Sequence, residues 1–170
     1  MQTSLIPSLL KSVGLNEKNH EKSVRLFEIS KAFFDNAEVR SDRDPGTLEK
    51  EIIAGVIAGD WDYTSVPDKP QTATFLDMKG VVENLFAQLL LDVKIVRSNK
   101  ESYLHPNKQA EIYLHNRSIG SFGELHPVVQ KAFNIKMGVV LFEIDFDPII
   151  EHGLGVKKFK AFLKGGKMTR

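Results

Sequence analysis

A chain of 170 residues with 42% hydrophobic content has the length of one domain and enough apolar mass for a real core. Acidic and basic residues nearly cancel to a formal charge of +1, which excludes a global field for nucleic acid or an anionic membrane and leaves any RNA contact local. With no cysteine there is no disulfide framework, no thiolate zinc site and no catalytic thiol, in keeping with a cytosolic setting.

The first segment, MQTSLIPSLL, has no basic leader, and no run approaches the roughly 18 apolar residues of a membrane helix. The expectation is a soluble, untargeted, cytoplasmic protein. Ser4–Val13 reads as a short helix: Ser4 is a cap, Pro7 lies in the tolerated first turn, and Leu5, Leu9, Leu10 and Val13 share a side before Gly14. Val24–Phe34 reads as a strand in which Leu26 and Glu28 oppose Phe27 and Ile29. Asp35–Gly46, with its Pro45-Gly46 pair, reads as a turn or disordered excursion.

Glu51–Ala58 is a β-branched run suited to a strand buried on both faces, with Gly55 and Gly59 marking close packing or a bulge. Asp60–Thr72 reads as a loop anchored by Trp61 and Tyr63. Thr74 and Asp77 form a capping-box signature, and Met78, Val82, Leu85, Phe86 and Leu89 then repeat at helical spacing to about Leu91. Val93–Arg97 is a short strand, and Gln109–Leu114 with Ser118–Phe122 reads as a hairpin whose Asn116 can take the left-handed conformation.

In Ser118–Asn134, Gly120 and Gly123 permit close backbone approach, His126 caps a helix begun by Pro127, and Asn134 ends it. Gly138–Phe146 is a strong strand ended by Asp147-Pro148. Five or six strands and three helices without βαβ alternation make an α+β domain, a mainly antiparallel sheet flanked by helices. Residues 1–150 form this core, and 151–170 read as a tail, disordered or the start of a missing C-terminal domain. Val156–Arg170 holds six Lys or Arg among fifteen residues.

His105, Glu111, Glu124 and His126 are the residue types that hold zinc-like ions, but their spacing places no two imidazoles on one helix face. Caps and turn hydrogen bonds account for them better. Glu143 and Asp145, beside Asp147, are the paired carboxylates, read as a solvated strand face rather than an acid/base site. Gly165–Lys167 lacks the spacing of a phosphate loop, and Trp61 with Tyr63 suits loop anchoring more than base stacking. No catalytic, cofactor-binding or metal residue is assigned.

Six stretches carry a resemblance: TSLIPSLL (Thr3–Leu10), VRLFEISKAFF (Val24–Phe34), FLDMKGVVENL (Phe75–Leu85), LHPNKQAEI (Leu104–Ile112), IGSFGELHP (Ile119–Pro127) and LFEIDFDPI (Leu141–Ile149). In order and spacing the chain resembles the β subunit of bacterial-type phenylalanyl-tRNA synthetase over about residues 1–150. The resemblance falls in that subunit's catalytic-like module, a class II synthetase fold that has lost its own active site. It implies a parent α2β2 enzyme that joins phenylalanine to its tRNA using ATP and magnesium, with the chemistry in the α subunit.

Class II catalysis relies on arginines that hold the ATP phosphates. Arg25 in VRLFE does not match the class II R-x-E pattern, and no glycine-rich segment ending in Glu-Arg is present. The resemblance therefore carries over no catalytic residue and no bound cofactor. It implies a piece of a longer chain that packs on the catalytic α subunit and helps shape the path of tRNA. Cutting into such a module leaves an open sheet edge or helix face, so self-association is expected. Two other readings stand: a stand-alone paralogue binding a small molecule or amino acid in a sealed polar pocket, and an RNA-binding accessory domain using Val156–Arg170.

Overall fold

The computed structural model describes residues 3–35, 46–61 and 71–153. Its elements are α1 (Ile6–Lys18), β1 (Ser23–Asp35), β2 (Thr47–Gly59), α2 (Phe75–Gln88), β3 (Val93–Arg97), β4 (Leu104–Leu114), β5 (Arg117–Leu125), α3 (Pro127–Ala132), β6 (Val139–Asp145) and α4 (Asp147–Gly153). The strands form one six-stranded sheet in the order β1-β2-β6-β5-β4-β3. Every pairing is antiparallel, as an α+β reading requires.

Alternation along the strands divides the core into two layers. On one face, Leu5, Leu9, Leu10 and Val13 around α1 meet Val56 and Ala58 of β2 and Val139 and Leu141 of β6. On the other, Met78, Val82 and Phe86 of α2 meet Ile112, Phe122, Phe142 and Ile144, and Ile149 of α4 joins them. Residues 139–142 of β6 are buried without a break because alternate side chains serve opposite cores. The same reasoning holds for β2, which is buried continuously from Ala54 to Gly59.

Local chemistry sets most element ends. The Asp77 carboxylate accepts hydrogen bonds from the Thr74 N–H at 2.7 Å and from its hydroxyl at 2.6 Å, fixing the start of α2. His115 and Asn116 both take positive φ, 47° and 70°, which suits the two-residue turn joining β4 to β5. Asn134, at φ 55°, turns the chain after α3.

Three expectations need correction. Helix α1 does not stop at Gly14 but runs to Lys18; a Cβ at Gly14 would lie 3.3 Å from the Phe133 carbonyl oxygen, so this glycine admits the end of α3 rather than ending α1. Strand β4 starts at Leu104, through Pro106, and its register with β5 shifts between Leu104 and Gln109, where proline has no N–H to give. Asp147-Pro148 does end β6, yet it also opens a fourth helix: proline's fixed φ suits a first turn, and the Asp145 carboxylate accepts the Asp147 N–H at 3.2 Å.

Most of the Asp35–Gly46 excursion (36–45), Tyr63 with the rest of 62–70, and Val156–Arg170 with Gly165–Lys167 lie outside the described residues. The Asp60–Thr72 loop is closed at its base by a β-bridge between those two residues.

Candidate functional site

The four residues considered as metal ligands go separate ways. His105 Nδ1 accepts the Asn107 N–H at 3.2 Å, and His126 Nδ1 accepts the Val128 N–H at 3.2 Å, the cap that starts α3. Glu124 accepts from Lys108 Nζ at 2.7 Å and from the Phe75 N–H at 3.2 Å, tying the start of α2 to β5. Glu111 belongs to a different neighbourhood on the α1 face. Among the described residues no three His, Asp or Glu side chains are grouped so as to hold a metal ion.

That neighbourhood is a polar row of the sheet at the N-terminal end of α1. Strand register aligns Glu111 of β4, Ser121 of β5, Glu143 of β6, Ala54 of β2 and Glu28 of β1 in one row across the sheet. Each carboxylate in the row has its own partner. Glu28 accepts from Ser8 Oγ at 2.8 Å, and Glu143 accepts from Ser4 Oγ at 2.8 Å and the Leu5 N–H at 2.7 Å. Glu111 accepts from Lys100 Nζ at 2.7 Å, Ser118 Oγ at 3.1 Å and the Tyr113 hydroxyl at 3.2 Å.

A cleft of about 330 Å³ lies over this row, lined by Lys50, Glu101, Tyr103, Glu111, Glu143 and Asp145 among others. Here the expectation of a solvated carboxylate face fails. Glu143 and Asp145 are only partly exposed, and Asp145 meets Lys50 Nζ at 3.0 Å and Arg117 at 3.6 Å. These acids hold elements together. The bond from Lys100 keeps the Glu111 carboxyl below its ordinary range. Burial raises Glu101, and the neighbouring Glu143 and Glu111 raise it further.

Burial also pushes the Tyr103 phenol upward, with its hydroxyl 3.4 Å from Ser121 Oγ, so it stays protonated at neutral pH. An acid-lined cleft of this kind favours cationic guests over phosphates. Glu101, Tyr103 and Lys50 escaped sequence reading because they come from the β3–β4 connection and from β2. Only the pairing register brings them beside Glu143.

On the opposite face, no helix among the described residues covers the outer strand. Phe27 is 73% exposed and Ile29 is 52% exposed, both on the side of β1 away from α1. Arg25 shares that side, with its guanidinium 4.9 Å from the centre of the Trp61 ring and donating to the Trp61 carbonyl. Trp61 thus anchors the loop base, as its sequence context suggested. The α2 helix covers β5 and β6, and α4 reaches β2, which leaves the Phe27–Ile29 strip uncovered by either helix.

Comparison with known proteins fits this architecture. The family model for the phenylalanyl tRNA synthetase beta chain CLM domain matches residues 1–146. The phenylalanine–tRNA ligase beta subunit of Staphylococcus aureus (strain USA300) is 32% identical over 172 residues, covering 100% of this chain and 20% of the relative. That of Carboxydothermus hydrogenoformans is 35% identical over 150 residues, covering 86% of this chain and 18% of the relative. The chain thus spans about a fifth of the length of the curated relatives it matches. With the family model covering all six strands, the chain belongs to the phenylalanyl-tRNA synthetase beta chain CLM-domain family.

Proposed function

We propose that this chain is a noncatalytic module of the β subunit of phenylalanine–tRNA ligase, built on a degenerate class II synthetase-like sheet and acting by packing against the catalytic α subunit. Family membership is the observation that carries the reading. Two structural features support it. The carboxylates of the open cleft are mostly engaged in holding the fold, and their charge opposes a triphosphate or a tRNA backbone. Arg25, whose VRLFE context departs from the class II R-x-E pattern, lies on the opposite face against Trp61.

In this reading no residue of the chain is catalytic, and ATP and magnesium are handled by the α subunit in the cytoplasm. The exposed Phe27–Ile29 strip is the surface a partner subunit would cover, and exposed apolar area of this kind also promotes self-association when it is left open. The test is co-expression with the α subunit of the same ligase. Association that survives in wild type and is lost in Phe27→Asp/Ile29→Asp, with each chain still folded, is expected. Phenylalanine-dependent ATP–pyrophosphate exchange by the purified chain alone, abolished by a point substitution within it, would overturn the proposal.

A further inference from the structure

Two clefts flank one strand, β3. On the α2 side lies a cleft of about 670 Å³, walled by Leu76 and Lys79 of α2 and by Ile95 and Arg97 of β3. On the other side a cleft of about 440 Å³ is lined by Lys94 and Val96 of β3 with Tyr113 and His115. Val93 and Lys94 line both, so the clefts meet along the strand. Among the described residues, β3 ends the sheet and pairs only with β4.

We propose that the outer edge of β3 is a strand-addition site for an extended, acidic and apolar segment of another protein. A segment laid beside β3 at the usual spacing of about 4.8 Å would pair with the strand's outward backbone groups, and its side chains would alternate between the two faces. Those are the faces the two clefts occupy. One set would meet Leu76, which is 70% exposed, together with Ile95, Lys79 and Arg97; the other would meet Lys94, Val96 and Tyr113.

The charges select the guest. Lys79 lies 3.5 Å from Glu83, whereas among the described residues Lys94 forms no ion pair and the Arg97 guanidinium meets the Asn107 side chain, at 3.4 Å. Asp92 precedes the strand beside Lys94, so acidic residues are favoured most towards Arg97, with Lys94 balancing Asp92 at the start of the strand. The same cations disfavour a second copy of β3, which would set lysine and arginine against their counterparts. Apolar walls on both faces favour a peptide over a nucleic acid backbone, which would leave Leu76 and Ile95 unused.

The test is a display selection of random short peptides on the purified chain, followed by amide chemical-shift and hydrogen-exchange mapping with the enriched peptides. Expected are peptides alternating apolar and acidic residues that protect the Val93–Arg97 amides. Lys94→Glu/Arg97→Glu should weaken them roughly tenfold, and lysine-substituted peptides should regain affinity for that variant. Failure to enrich any peptide, enrichment of peptides that map to Phe27 and Ile29 instead, or indifference to Lys94→Glu/Arg97→Glu would each overturn the proposal. So would single-stranded RNA that shifts the same amides more strongly than any peptide and with a steep salt dependence. None of these readouts involves the α subunit, so this site and the subunit-packing role stand or fall separately.

Discussion

The Leu5 N–H donates to the Glu143 carboxylate at 2.7 Å, across 138 residues of chain, and Ser4 Oγ donates to the same oxygen at 2.8 Å. Helix α1 has no side-chain cap at its own N-cap residue. A strand carboxylate from the centre of the sheet takes that place, and its negative charge also suits the helix N-terminus.

Glu143→Ala should therefore destabilise the chain by about 2–3 kcal/mol, because it leaves a half-buried N–H and a hydroxyl without an acceptor. Ser4→Ala should cost less, about 0.5–1.5 kcal/mol, since the Leu5 bond remains. Urea unfolding of both variants checks the order. Equal losses would mean that the Leu5–Glu143 bond contributes nothing.

Two neighbouring acids should respond to pH in opposite senses. Glu111 has a lowered folded pKa, chiefly through Lys100, so its contribution is present above the unfolded carboxyl pKa and is lost as pH falls through the folded value. Glu111→Gln should unfold at a lower temperature than wild type at neutral pH, and the gap should close in acid. Glu101 has a raised folded pKa through burial, so wild-type stability falls as pH rises from the unfolded to the folded value. Glu101→Gln should raise the neutral-pH unfolding temperature, and that gain should disappear in acid. Thermal scans across pH resolve both.

Gly80 and Gly120 should give substitutions of opposite sign. Nothing lies within 4 Å of a Cβ placed on Gly80 inside α2, so Gly80→Ala should stabilise by up to about 1 kcal/mol through helix propensity. A Cβ on Gly120 would lie 2.7 Å from Ile144 Cα, its pairing partner on β6, and backbone cannot yield as a side chain can. Gly120→Ala should cost about 1–3 kcal/mol. Denaturant midpoints for the pair are a direct comparison.

The Phe27–Ile29 strip should govern association of the chain with itself. Phe27→Ser/Ile29→Thr should shift sedimentation at high protein concentration towards monomer, with unfolding midpoints nearly unchanged, since neither side chain is in the core. A loss of stability exceeding about 2 kcal/mol would show instead that the strip supports the fold.

Much of the fold was legible because periodicity and caps are local signals. The Thr74–Asp77 box, the His126-Pro127 start and the two-sided burial of β2 each follow from a few adjacent residues. Gly14 was misread for the converse reason: the Phe133 carbonyl that explains it comes from a distant element. The same limit applied to the cleft. Glu143 and Asp145 were visible as carboxylates on one strand face, but Ser4, Leu5, Lys50 and Arg117, which remove them from solvent chemistry, reach them only through the tertiary fold. Phe27 and Ile29 could be placed opposite Leu26 and Glu28 by alternation, whereas that α2 and α4 both leave them uncovered could not.

Strand β6 joins two blocks that are otherwise separate in the sheet: the β1–β2 hairpin on one side and the β3–β4–β5 meander on the other. On a ribosome, the hairpin and the meander emerge first and have no shared ladder. Until Val139–Asp145 leaves the exit tunnel, β2 and β5 each present an open edge at what will become the middle of the sheet. The interval between synthesis of β5 and synthesis of β6 is therefore when the nascent chain is most open to wrong strand pairing, and a holding chaperone would act on those two edges.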